Sequence, residues 1–127
     1  MDERRCPCGS GETVVACCGR YLAGEAVPPT AEALMRSRFT AFAVGDEAYL
    51  LATWHPDTRP SSCPIDPRTR WLHLTIADVV DGSPLHPRGI VEFVAVYRDE
   101  GGRGEVRERS DFARVGGRWF YLSGVHR

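Results

Sequence analysis

The sequence predicts an α+β protein in which helices come first, an antiparallel sheet packs on them, and a small cysteine-rich module stands in front. Three observations carry this. Apolar residues recur at helical spacing from Thr30 to about Trp54, they alternate at strand spacing from Trp71 onward, and four of the five cysteines fall between Cys6 and Cys18. Helices that precede strands, rather than alternate with them, imply a sheet covered by helices on one face. A chain of 127 residues has room for one ordinary domain and an appendage.

Residues 1–24 form the predicted module. Two tight pairs of sulfurs, Cys6-Pro7-Cys8 and Cys17-Cys18, flank a short loop containing Gly9, Ser10 and Gly11. Zn²⁺ takes four thiolates at roughly 2.3 Å, and a closed four-sulfur shell is structural, with no open position for chemistry. Cys6, Cys8, Cys17 and Cys18 are therefore the candidate ligands of one structural Zn²⁺ per chain. Iron fits the same sulfur tetrahedron, and zinc is the default. The module's own apolar residues, chiefly Val14, Val15, Tyr21 and Leu22, are too few to offset an ordering cost of roughly 1–2 kcal/mol per residue. Metal binding would supply the difference. The N–H groups near Gly9, Ser10 and Gly11 are expected to face the sulfurs, with Arg4, Arg5 and Arg20 offsetting their charge.

A disulfide framework fits less well, since five cysteines leave one unpaired and Cys17 and Cys18 are adjacent. Met1-Asp2-Glu3-Arg4-Arg5 carries no apolar leader, so the predicted compartment is the cytoplasm, where thiols stay reduced. No stretch approaches the ~20 apolar residues of a membrane span. The formal charge of −1 argues against an overall attraction to nucleic acid. The arginines from Arg103 to Arg109 are interleaved with Glu105 and Glu108, as on a solvated face.

Val27-Pro28-Pro29 is read as a stiff joint into a second domain, residues 28–127. Thr30 suits the helix N-cap and Glu32 the first turn. Ala31, Leu34, Met35, Phe39 and Phe42 then make one apolar stripe, with Arg36 off it and Arg38 at its edge. Gly45 ends this helix, Asp46 caps a second from Glu47 to about Trp54, and Pro56 stops it. Residues 56–67 are a loop dense in Pro, Ser, Asp and Thr. Strands are predicted at 71–76, 90–97, 105–115 and 118–122, the last two joined by a Gly116-Gly117 hairpin turn.

The pattern Cys6, Cys8, Ser10-Gly11, Cys17, Cys18, Gly19 resembles the SEC-C zinc motif found at the C-terminus of the preprotein translocase ATPase. The rest of the chain is similar to the YchJ family, which joins that motif to a further domain. The similarity rests on residues 34–42 (Leu34 to Phe42), Trp54-His55-Pro56, Val91-Glu92-Phe93, Glu108 to Phe112 and Arg118 to Tyr121. It implies a nuclear-transport-factor-two-like fold, a curved sheet wrapped around helices into a cone with a cavity. It implies the metal but no activity.

The remaining candidates are each weighed against a plain structural role. Cys63, in the loop, has no base near it in sequence and reads as an incidental thiol. His55, His73, His86 and His126 make no ligand pair, and His55 at a helix end is explained by the dipole. Strand alternation puts Val91, Phe93, Ala95 and Tyr97 on one face and Glu92 on the other. Glu92 or Glu108 could project into a cavity for proton-transfer work, although pairing with Arg36, Arg38 or Arg109 is favoured. Trp71, Phe93, Phe112, Trp119 and Tyr121 are read as packing rather than a ligand cage. No catalytic residue is assigned.

Two functions follow. The first is a non-enzymatic adaptor that docks on a protein partner through its zinc module. The alternative is a small-molecule-binding protein or enzyme that uses the cavity of the cone. A homo-oligomer is compatible with either.

Overall fold

The computed structural model describes residues 4–127; Met1, Asp2 and Glu3, the start of the expected 1–24 module, lie outside them. Four strands form one antiparallel sheet in chain order: β1 Arg70–Asp81, β2 Arg88–Asp99, β3 Gly102–Val115 and β4 Arg118–His126. Three helices precede it, α1 Cys18–Leu22, α2 Ala31–Val44 and α3 Glu47–Ala52. The two predicted helices (α2 and α3) and four strands are observed in the predicted order, and α1, inside the cysteine module, is an additional helix. Each strand runs past its apolar run, because hairpin pairing continues into the charged ends, as from Arg70↔Arg98 to Asp81↔Gly89. Gly116 and Gly117 both take positive φ (59° and 80°), which a two-residue primed turn between β3 and β4 requires.

Register shifts in β1 between Trp71 and His73 and between Ile76 and Asp78, and one at Asp111/Phe112 between β3 and β4, bend the sheet. Its inner face carries Leu74, Val91, Phe93, Ala95, Phe112 and Trp119, all buried against α2. The Thr30 hydroxyl accepts the Ala33 N–H at 3.0 Å, and Gly45 closes α2 in the left-handed region. The Asp46 carboxylate then accepts the Tyr49 N–H at 3.0 Å to start α3. α3 ends at Ala52, short of the expected Trp54, because the chain there pairs with β4 instead. The Tyr121 N–H donates to the Thr53 carbonyl, and the His55 N–H donates to the Tyr121 carbonyl, each at 2.8 Å.

The expected single stripe on α2 is a correction. Leu34, Met35 and Phe39 are buried as predicted, but so are Ser37, Arg38 and Thr40. The sheet covers one side of the helix, α3 the side of Ser37 and Arg38, and the cysteine module the side of Thr40. Among the described residues no helix is long and apolar enough to cross a membrane.

Candidate functional site

A small hairpin builds the cysteine module. The Cys6 N–H donates to the Glu12 carbonyl (2.8 Å) and the Val14 N–H to the Arg4 carbonyl (2.9 Å), around a turn with Gly9 and Gly11 at positive φ. This folds Cys6 and Cys8 back onto Cys17 and Cys18 at the start of α1. Gly19 allows the closure, since a Cβ there would stand 2.5 Å from the Val14 carbonyl oxygen. All four sulfurs lie within 4.8 Å of one another. Cys8 and Cys17 are 3.7 Å apart and Cys17 and Cys18 3.9 Å. A tetrahedron with arms of 2.3 Å has edges of about 3.8 Å, so the donor set fits one tetrahedral metal ion.

The electrostatics point the same way. Thiol hydrogen bonds with Cys18 and Cys8 push the Cys6 thiol far down, and those with Cys6 and Cys8 push the Cys18 thiol far up. The sulfurs are too close to ionise together, and four thiolates at this spacing need a cation. One sequence expectation is corrected here, at Gly9. The Gly9 N–H donates to the Cys6 carbonyl rather than to sulfur, while a backbone hydrogen bond from Cys8 reaches the Cys6 sulfur and the Ser10 hydroxyl reaches Cys17 Sγ at 3.1 Å. Arg5 and Arg20 bond the carbonyls of Gly11 and Cys17, while Arg36, from α2, supplies a further cation by donating to the Cys8 carbonyl at 2.9 Å. Thr40 Oγ1 stands 3.6 Å from Cys6 Sγ. The sequence could not show these two contacts, which span 28 and 34 positions.

Between α2 and the inner face of the sheet lies a cavity of about 360 Å³. Phe39, Phe42, Trp71 and Phe93 form an apolar wall, and Arg38, Glu108 and His126 bring charge and polarity to it. Register decides which carboxylate arrives there. Phe93, Glu108 and His126 are cross-strand neighbours on the inner face, while Asp78, Glu92 and Arg109 form the corresponding row on the outer face. Glu92 therefore does not enter the cavity. It pairs with Arg109 (3.1 Å) and Arg107 (3.4 Å), and Arg109 also holds Asp78 at 2.9 Å. Of the arginines that the sequence offered as partners for Glu92 or Glu108, Arg109 is the one that pairs, with Glu92; Arg36 pairs with Glu32 instead.

Glu108 is held by hydroxyls instead. Its Oε2 accepts from Ser110 (2.6 Å) and Tyr121 (3.1 Å), and its Oε1 lies 3.6 Å from His126 Nε2. Gly124 leaves the room, because a Cβ there would overlap the Glu108 carboxylate. Burial and the Glu108 charge push the Tyr121 phenol up, which keeps it a donor. Arg38 lies under the aromatic rings of Tyr121 (4.7 Å to the centroid) and Trp54 (5.3 Å), and its Nη1 donates to the Leu50 carbonyl and to Thr53 Oγ1. Burial pushes the Arg38 guanidinium down to about 10, so it still carries its charge at neutral pH.

A family model described as "YchJ, middle NTF2-like domain" matches residues 30–124. A UPF0225 protein of Streptomyces coelicolor is 53% identical over 124 residues, covering 98% of this chain and 97% of that one. The chain belongs to the YchJ family. A UPF0225 protein of Corynebacterium glutamicum is 49% identical to this YchJ chain over 121 residues, 95% of this chain and 96% of that one. The solution structure of a SEC-C motif containing protein from Rhodopseudomonas palustris superposes with a TM-score of 0.83 at 34% identity, covering 98% of both chains. The crystal structure of a SEC-C motif containing protein from Psychrobacter arcticus gives 0.78 at 23% identity, over 94% of this chain and 81% of that one, and shares the fold.

The remaining candidates of this YchJ chain are placed as follows. Phe112 and Trp119 pack in the core as expected, whereas Trp71, Phe93 and Tyr121 also line the cavity. Cys63 reaches the cavity from the loop, anchored by its N–H on the Glu47 carboxylate at 2.8 Å, and burial pushes its thiol up. His55 Nδ1 accepts the Asp57 N–H at 3.0 Å, and His55 lies beyond the end of α3 at Ala52 rather than on its last turn. His73 meets Arg103 at 3.2 Å and His86 caps the Ser83 N–H, both away from the cavity. His126, passed over for want of a partner in sequence, is the histidine that faces it.

Proposed function

We propose that this protein binds a small molecule in the cavity between α2 and the sheet, with one structural Zn²⁺ on Cys6, Cys8, Cys17 and Cys18 holding the N-terminal module in place. The observation that carries the reading is the cavity of about 360 Å³, a volume within the usual range for ligand sites, with an aromatic wall and a few convergent polar groups. It is the alternative of the two functions drawn from the sequence. A neutral fluorophore, N-phenylnaphthylamine, tests it. Fluorescence should rise on the native protein and fall in Ala95→Leu, which fills the cavity from the β2 wall while the melting temperature holds. Equal fluorescence from both proteins would remove the cavity as the binding site.

Zinc is proposed as the default metal for a closed four-sulfur shell, although the sulfur tetrahedron itself fits iron as well. A reducing cytoplasm suits four thiolates and is the compartment proposed. Metal analysis of protein purified without chelator should give one zinc per chain. Stripping it should abolish amide protection in the module and leave the sheet protected, because the module's buried cluster consists mainly of the ligands themselves. Full protection of the module in metal-free protein would overturn the structural role.

The adaptor reading is second. It is supported by the outward face of the module, where Ser10, Gly11, Glu12 and Val15 are exposed while the ligands are not. Because the module covers α2, deleting it would uncover core. Val15→Glu in the full chain is the cleaner test, and an unchanged set of co-purifying proteins would count against docking through this face.

A further inference from the structure

Arg38 is 4% exposed, yet among the described residues no carboxylate lies within 4.0 Å of its guanidinium. Its two ring contacts cover it with the π-faces of Trp54 and Tyr121, and its Nη1 is satisfied by Leu50 and Thr53. Nε and Nη2 have no acceptor among the described residues. They are not sealed in the core either, since the Trp54 indole N–H is the only side-chain polar atom among the described residues that is both fully buried and without an acceptor. The open edge of the guanidinium therefore looks into the cavity that Arg38 lines.

The opposite charge in the cavity does not fill this need. Glu108 already has two hydroxyl donors, Ser110 and Tyr121, on Oε2, and its Oε1 stands 3.6 Å from His126 Nε2. The unmet demand in the cavity is for an acceptor, and specifically for one that matches a planar pair of N–H donors. A carboxylate does so, and burial makes the match worth more than it is in water. The rest of the wall is aromatic and aliphatic apart from Cys63 and His126.

We propose that the cavity takes a small apolar carboxylate, its two oxygens on the Nε/Nη2 edge of Arg38 and its aliphatic or aromatic body against Phe39, Phe42, Trp71 and Phe93. This rests on the cavity-binding reading above and names the ligand class. Glu108 then sets a limit on the ligand. A second negative charge at the far end would meet a carboxylate, so mono-acids are taken in preference to di-acids.

Three probes of one shape separate the possibilities: phenylpropionate, phenylpropanol and phenylpropylamine, titrated into the zinc-loaded full chain. The Trp54 indole N–H, which makes no hydrogen bond of its own on the cavity wall, supplies the NMR signal. The acid is expected to bind about tenfold or more tighter than the alcohol, the scale of a charge-assisted hydrogen-bond pair, with the amine weaker than both. Arg38→Met should bring acid and alcohol level, and Arg38→Lys should restore part of the preference. Glu108→Gln should tighten the acid further. If Arg38→Met does not fold, the selectivity of the unaltered protein decides alone. Equal binding of all three probes, or preference for the amine, overturns the carboxylate site and leaves the cavity reading standing. No response to any probe overturns both.

Discussion

Arg36 shows how much one side chain does for the metal module. Its Nε pairs with Glu32 one turn earlier on α2, which fixes the guanidinium, and its Nη1 then holds the Cys8 carbonyl at 2.9 Å. The contact orients a ligand residue through its backbone, and the same guanidinium also interacts with the Cys8 side chain. Outer contacts of this kind typically carry about 10–100-fold in metal affinity. Arg36→Ala is accordingly expected to weaken zinc retention by about tenfold in competition with a chromophoric chelator, with the sheet unaffected. Unchanged retention would show that α2 merely abuts the module. At the same scale, alternation within β2 puts Glu92 opposite Val91 and Phe93, and so on the outer face. It says nothing about Glu108, whose place depends on its pairing with Phe93. The apolar stripe of α2 left Arg38 at an edge, and nothing local told that α3 and Tyr121 would close over it.

At the scale of elements, caps and turns were legible because they are local. Thr30, Gly45, Asp46 and the Gly116-Gly117 turn all act within a few residues of themselves. Thr30→Ala removes the acceptor of the Ala33 N–H and should cost about 1 kcal/mol in urea denaturation, with the slope unchanged. A cost near zero would mean that the Ala31 N–H bond to the Gly82 carbonyl already fixes the start of α2. Strand ends and the end of α3 were less legible, because partners on other elements set them. β3 begins at Gly102 since β2 continues to pair with it through Asp99, and α3 stops at Ala52 because Thr53 and His55 bond β4.

For the whole molecule, burial of tyrosines makes stability depend on alkaline pH. Burial pushes the Tyr49 phenol up to about 12 from 10, and Tyr121 is pushed up further. Above pH 10 the unfolded chain releases both phenol protons while the folded chain keeps them. Arg38, pushed down to about 10 by burial, acts the other way with one proton. The unfolded state still binds fewer protons on balance, so stability is full below pH 10 and falls as pH rises toward 12. Tyr49 alone accounts for about 2 kcal/mol after allowance for its partial exposure. Tyrosinate absorbance and circular dichroism followed together should change in one step. Free titration of both phenols in folded protein would contradict their burial.

By itself the sequence determined the order of elements, the turn and cap positions, and the four cysteines that could share a metal, since each depends on spacing along a few residues. It could not determine which carboxylate faces the cavity, that Arg36 and Thr40 approach the metal module, or that Arg38 is enclosed without an anion. Those are products of strand register and of three elements meeting on one helix. Their energies come from contacts between residues dozens of positions apart, so only the folded chain decides them.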